Sequence, residues 1–304
     1  MRAWCRPISW RRCGCAGAAD EDHVALAVEE RAAAGHPSRT PAEARGQWAQ
    51  EVLALARRWW IELLRERLNL VLSIAQPAIW LVFFGAGVER AIDAEVIGTD
   101  DYVGFMLAGI VTFTIVGNGV SGAMPLLWDK ETGYLDRLMS MPIARSTVIV
   151  SRFVFQVAQQ SAQILLVVLV ALLLGVRIAA GPLGLLVILV AAALLTMSVT
   201  AAFSALAYAV PQHGTFFAIA GFVSLPLLFM SNAFVPLDAM PGWMAAVARL
   251  NPLTYAIEAM RTLVIRGWAA SIFWSLAVLA LAAVVCLAAG VQQFRRQTGE
   301  RVQG

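Results

Sequence analysis

The chain has 304 residues, 60% of them hydrophobic and only 14% charged, with a mean hydropathy of +0.71 and a formal net charge of +3. That is too apolar for an ordinary water-soluble domain and reads as a membrane protein. Asp, Glu, Lys and Arg are missing from Leu68 to Val88, Tyr102 to Trp128, Phe153 to Val176, Ile178 to Leu237 and Gly267 to Phe294, and each stretch exceeds the roughly 20 residues a helix needs to cross a bilayer.

Residues 1–44 are dominated by Ala, Arg, Glu and Gly, and "MRAWCRPISWRRCGC" lacks the apolar core of a signal peptide. They read as a disordered cytoplasmic tail or an over-extended start. Cys5, Cys13 and Cys15, with His23 or His36, match no zinc spacing and read as unpaired thiols. Residues 45–68 then form an amphipathic helix, clearest from Gln47 to Leu68. Val52, Leu55, Ala56, Trp59 and Leu63 fall on one face, and Glu51, Arg58, Glu62 and Arg65 on the other. Trp59 and Trp60 among arginines suit a membrane surface.

Residues 69–294 are expected to cross the membrane six times: Asn69 to Gly87, Val103 to Met124, Val148 to Leu174, Leu183 to Ala209, Phe216 to Phe234 and Ile272 to Val291. Pro211-Gln212-His213-Gly214 divides the longest charge-free run, and Pro77, Pro125 and Pro226 are expected to kink or end helices. Lys and Arg cluster before the first span (Arg57, Arg58, Arg65, Arg67), after the second (Lys130, Arg137, Arg145, Arg152) and in the 295–304 tail. The loop after the first span is acidic. This asymmetry puts both termini in the cytoplasm, although Arg249, Arg261 and Arg266 count against it.

"LLWDKETGYLDRLMSMPIAR", Leu126 to Arg145, is therefore a short charged cytoplasmic loop. Gly133 permits a sharp bend. Tyr134, Leu135, Leu138 and Met141 supply an apolar face, Asp136 and Arg137 a polar rim, and Pro142 ends the short helix.

No span carries a carboxylate, lysine or histidine pair at membrane depth, which argues against ion-coupled carriers, intramembrane proteases and redox proteins. Lys130, the one lysine, is followed by Glu131, so the chain lacks a phosphate-binding Gly-Lys-Ser/Thr loop. Polar stripes do recur. Gln156, Gln159, Gln160 and Gln163 share one side of span 3, and Thr196, Thr200, Ser204 and Tyr208 one side of span 4. With Asn232, they are read either as helix-to-helix hydrogen bonding or as the lining of a translocation path. Phe105, Phe113, Phe203, Phe222 and Phe229 are expected to add an aromatic interior suited to amphiphiles.

After span 5, residues 238–267 read as two external helices that lie on the membrane or re-enter it. Asp238 to Leu250 forms the shorter, with Trp243 at the interface. Asn251 caps the longer, Pro252 starts it, Leu253, Ile257, Met260 and Val264 make its apolar stripe, Glu258 and Arg261 its polar side, and Gly267 stops it.

Two segments, "WDKETGYLDRLMSMPIAR" and "LPLLFMSNAFVPLDAMPGWMAAVARLNPLTYAIEAMR", make the chain from about Gln47 to Arg296 resemble type-2 ABC transporter permeases, specifically the daunorubicin-resistance (Drr) B-type drug-export subunits. The resemblance implies an all-α half-transporter without an ATPase site of its own. A second copy, as homodimer or heterodimer, and a separate ATPase that holds ATP and Mg would complete it. It also implies that 45–68 is a connecting helix and that Glu131 and Gly133 belong to the segment coupling to the ATPase. The expected cargo is a lipophilic drug, antibiotic, lipid or secondary metabolite. Polysaccharide or glycolipid export, and a channel or scaffold without an ATPase, are the alternatives. Membrane lipids are expected partners; nucleic acid is not.

Overall fold

The computed structural model describes residues 41–65, 67–88, 101–133, 145–210 and 212–300, and every regular element among them is a helix. In chain order these are α1 (Pro41–Arg65), α2 (Arg67–Val88), α3 (Tyr102–Glu131), α4 (Arg145–Leu173), α5 (Gly181–Ala209), α6 (His213–Phe229), a 3-10 turn (Leu237–Ala239), α7 (Gly242–Leu250), α8 (Pro252–Ile265) and α9 (Ser271–Glu300). The chain divides into compact units Met1–Gln47 and Trp48–Gly304, and the contacts below belong to the second. Helix α1 starts at Pro41, so the end of the expected 1–44 tail is helical, while Cys5, Cys13 and Cys15 lie outside the described residues.

Four described helices are long and apolar enough to cross a membrane: Tyr102–Asp129, Val150–Leu173, Gly181–Ala209 and Ser271–Gln293. Two more, Val71–Phe83 and His213–Phe229, are apolar but shorter. The fifth expected span was drawn to Phe234, but α6 stops at Phe229. Its 17 residues reach only about 26 Å at 1.5 Å per residue. Pro226 sits in its last turn, and the Met230 N–H closes back on the carbonyls of Pro226 and Leu228. By contrast, Pro77 and Pro125 lie inside α2 and α3 without ending them.

Helix α5 is the hub, packing against α3, α4, α6, α8 and α9. It can do so because much of its buried face is small: Ala191, Ala192, Ser198, Ala201, Ser204 and Ala207. Lipid tails are as apolar as leucine, so helices in a bilayer associate mainly through close backbone approach and packing. Gly290 of α9 fits the same rule, since a Cβ there would stand 3.4 Å from the Ala201 carbonyl oxygen.

Contacts sort the loops to two ends. At one end, Arg58 of α1 reaches Asp129 near the end of α3, Glu131 meets His213 at the start of α6, and the Thr147 hydroxyl of α4 donates to Glu51 of α1. At the other end lie the start of α3, the turn after α6, the loop before α5, and α8. There Ala179 and Ala180 donate their N–H groups to the carbonyls of Val264 and Leu263, tying that loop to the last turn of α8. The first is called the Arg-rich end below, the second the far end.

Helix α8 follows its sequence closely. Asn251 caps it by accepting from the Leu253 N–H at 3.0 Å, Pro252 is its first residue, and Gly267 stands just past its end at φ +86°. The stripe Leu253, Ile257, Met260 and Val264 is buried. It faces α3, α5 and α9, so this face of the expected external helix is covered by protein.

Candidate functional site

At the Arg-rich end, α3 outruns the apolar stretch and carries Leu126 to Glu131 as a helical extension. Thr132 ends it, its N–H and hydroxyl both bonding the Trp128 carbonyl, at 2.9 and 2.7 Å. Gly133 follows at φ +69°, the left-handed conformation in which a helix commonly terminates and which glycine adopts without steric cost. The expected bend is thus in place. Tyr134, Leu135, Asp136, Arg137, Leu138, Met141 and Pro142 lie outside the described residues.

Two contacts tie this helix end to its neighbours. Asp129 stands 3.9 Å from Arg58, and the Glu131 carboxylate contacts His213 Nδ1, whose ring also lies 5.0 Å from that of Trp128. The residues just before the bend therefore touch both α1 and α6. Sequence reading singled out Glu131 but not its partner 82 residues away, since only tertiary packing joins them. Helix α1 is held through its aromatic face: Trp59 and Trp60 lie 6.4 and 5.4 Å from the Phe155 ring, and the Arg58 and Arg152 guanidiniums sit 4.8 and 4.7 Å from the Trp59 ring.

Next to this cluster the glutamine stripe of α4 turns inward. Gln156, Gln160 and Gln163 are buried. Asn118 of α3 donates to Gln160 Oε1 at 2.8 Å and to Gln163 Oε1 at 2.6 Å, Gln163 donates to the Ser73 carbonyl of α2, and Gln156 donates to the Asn118 carbonyl at 3.4 Å. The stripe therefore bonds helix to helix, and it also borders a cavity of about 270 Å³ between α1, α2, α3 and α4. Asn118 organises this network and was missed in the sequence, although an amide within so apolar a run is itself a signal.

The second stripe behaves differently. Thr196 donates to its own helix at the Ala192 carbonyl, while Thr200 and Ser204 border a separate void of about 30 Å³ facing α9. That is room for about one water, and Thr200 Oγ1 is buried there without a hydrogen-bond partner. Within one copy of the chain the two stripes line different spaces, and Arg152 borders both. Asn232 lies apart from them, buried in the turn after α6 at the far end.

There Arg261 of α8 donates to the Asn232 carbonyl at 2.9 Å and the Ala233 carbonyl at 3.3 Å, with its guanidinium 3.6 Å from the centre of the Phe105 ring. Burial pushes its pKa down to about 9, with Glu258 pulling the other way, so it stays charged at neutral pH. A cation at the frayed carbonyl end of α6 is where the helix dipole favours one. Asn251 joins it by donating to the Leu227 carbonyl at 2.6 Å. Pro252 and Glu258 are half-buried beside them, Trp243 is exposed on α7, and Asp238 lies in the 3-10 turn. The expected aromatic interior holds at Phe105 and Phe203. Phe222 and Phe229 point outward instead, because only Phe216, Ala220 and Leu228 of α6 are buried.

A multi-pass helical bundle, with uncharged polar groups buried between its spans and charged groups gathered where one helix leaves the apolar layer, is the build of a membrane transport subunit. The chain belongs to the ABC-2 type transporter family, whose model matches residues 50–265, from α1 to the end of α8. It is 34% identical over 215 residues to the ycf38 transport permease of Cyanophora paradoxa, covering 70% of this chain and 74% of that protein. The ycf38 transport permease of Porphyra purpurea is 35% identical over 214 residues, with 70% and 73% covered. The daunorubicin resistance ABC transporter permease DrrB1 of Streptomyces coeruleorubidus is 30% identical over 193 residues, with 64% and 65% covered. The expected resemblance is met at the level of the family. Its members are the membrane translocation subunits of ABC transporters, with the ATPase on a separate subunit.

Proposed function

We propose that this chain is the permease half of an ATP-driven exporter that moves a lipophilic drug, lipid or secondary metabolite outward. The relative named for daunorubicin resistance supports that cargo class. Residues 69–294 cross the membrane six times, α2 and α6 being the shorter crossings. Residues 45–68 form the connecting helix, 238–267 the external helices, and the 1–44 and 295–304 tails are cytoplasmic. Two copies pair to close the path, and ATP and Mg reside on the ATPase.

The ATPase docks on Leu126 to Arg145. The observation that carries this is the α3 extension: its last charged residues contact α1 and α6 together, so a push on the loop beyond Gly133 reaches two further helices. An energy source outside the chain needs such an entry point.

The test changes Leu135 and Leu138 together to Asp and follows membrane insertion, ATPase co-purification and export. Normal insertion with loss of ATPase binding and export is expected. An inserted variant that still binds the ATPase and exports would defeat the docking assignment.

A further inference from the structure

We propose that the void between α5 and α9 is a binding site for one ordered water, held by the hydroxyls of Thr200 and Ser204 and joining α5 to the main chain of α9 around Gly290. The site depends on no ATPase, cargo or direction of transport.

The hydroxyls single it out. Thr and Ser inside an apolar helix can bond the carbonyl four residues back, as Thr112, Thr114, Thr196, Ser198 and Ser224 all do, at 2.6–2.9 Å. Thr200 and Ser204, one turn apart on α5, do not. They are 1% and 8% exposed. Thr200 Oγ1 is buried without a partner, and Ser204 forms no hydrogen bond among the described residues. Both border the void. A hydroxyl shut away from bulk water without a partner is expensive, and a single bound water answers two of them at once.

The space fits water and no larger ligand. It is about 30 Å³, above the roughly 10–15 Å³ that admits one water and far below the roughly 300 Å³ at which drug-sized sites begin. A buried water needs two to four polar partners. The two hydroxyls, each a donor and an acceptor, supply two. Gly290 brings no side chain, so α9 meets the void there with its main chain, and a helical carbonyl keeps a second lone pair after its own helix bond. Leu126, Leu287 and Val291 make much of the remaining wall apolar. The methyl end of a lipid tail would fill the space but leave both hydroxyls unanswered. Arg152 and Tyr208 also border the void; both have other interactions, and neither is needed to hold the water.

The consequence falls on the hub helix. A bridging water is nearly as good a link as a direct hydrogen bond, so the packing of α5 against α9 is partly water-mediated where its side chains leave a gap.

The experiment exposes the full-length protein in detergent to a pulse of X-ray-generated hydroxyl radicals and reads side-chain oxidation by mass spectrometry. A held water yields radicals in place. Tyr208, 6% exposed and at the void, should therefore oxidise readily, and Phe216, 0% exposed and not bordering it, should not. Thr200→Val keeps the shape and removes the hydroxyl, so Tyr208 oxidation should fall severalfold while Phe216 stays unchanged. The same variant should melt about 2 °C lower, because the hydrogen bond to the water is lost. Ser204→Ala should also lower Tyr208 oxidation, and it decides the matter if Thr200→Val does not fold. Unchanged Tyr208 oxidation in the variants would overturn the site. So would a Thr200→Val protein that melts at or above wild type, the result expected when a dry void loses an unpaired hydroxyl.

Discussion

The two ends of the helix bundle are held together by different chemistry. At the far end, backbone carbonyls left open where α6 stops are taken up by buried donors, Arg261 and Asn251, and the last turn of α8 is bonded by the N–H groups of Ala179 and Ala180. At the Arg-rich end, α3 is linked across to α1 by an ion pair and to α6 by a carboxylate–imidazole contact, both between partly wet side chains. Arg58 and Asp129 meet at 3.9 Å with side chains 36% and 15% exposed, and His213 and Glu131 are 20% and 41% exposed. A buried polar link is expensive to break, because what remains is an unpaired group in a water-poor interior; an exposed pair separates at little cost, because water replaces the partner. The far end is therefore built to stay shut as a block. The Arg-rich end is built from contacts that can part and re-form, which suits the end where the ATPase is proposed to dock.

The comparison breaks first, and with the largest effect, at Arg261. Arg261→Met removes the donor for two carbonyls and the cation over Phe105 while keeping most of the volume. A loss of about 2–4 kcal/mol is expected, read as a clear fall in melting temperature in detergent, with Arg261→Lys recovering part of it. A variant that melts like wild type would show that the far end is not locked by this residue. Gly109→Ala comes next. A Cβ there would lie 2.7 Å from the Ala233 carbonyl oxygen, and the atom in the way is backbone of the same locked turn. Overpacking of this kind costs about 1–3 kcal/mol. Gly117→Ala, where nothing stands within 4 Å of the added carbon, should be near neutral in the same melt.

Much of the far end could be read in the sequence because its signals are local. Asn251-Pro252 and Gly267 bracket α8, and the stripe from Leu253 to Val264 names its buried face at helical spacing. The face of α1 was equally legible, with Val52, Ala56 and Trp59 buried together. What the sequence could not carry was long-range pairing. Arg261 reads as an outside charge that weakens the orientation count, yet it is spent on the carbonyls of a turn 28 and 29 residues earlier. The early end of α6 has a local signal in Pro226, although the apolar run continues past it to Phe234. Glu131 could be picked out by its place beside Gly133, but its contact with His213 depends on how α3 and α6 pack.

The sharpest test of the comparison, with only a small expected change in stability, lies in the two links of the Arg-rich end. Glu131→Gln weakens the contact with His213, and Arg58→Gln removes the pair with Asp129 without shortening either helix. Each pair is partly exposed, so each substitution should cost under about 1 kcal/mol, and the cost should shrink further as salt is raised to 0.5 M. Melting alone would make these residues look dispensable. Export by the assembled transporter should not agree. If the α3 extension passes movement to α1 and α6, the double variant should insert, pair with the ATPase and melt nearly as wild type does, yet export severalfold more slowly. A double variant with full export would mean that the links at this end are ordinary solvated contacts. One that melted as low as Arg261→Met would mean that the two ends are held equally firmly, and the distinction drawn between them would fail.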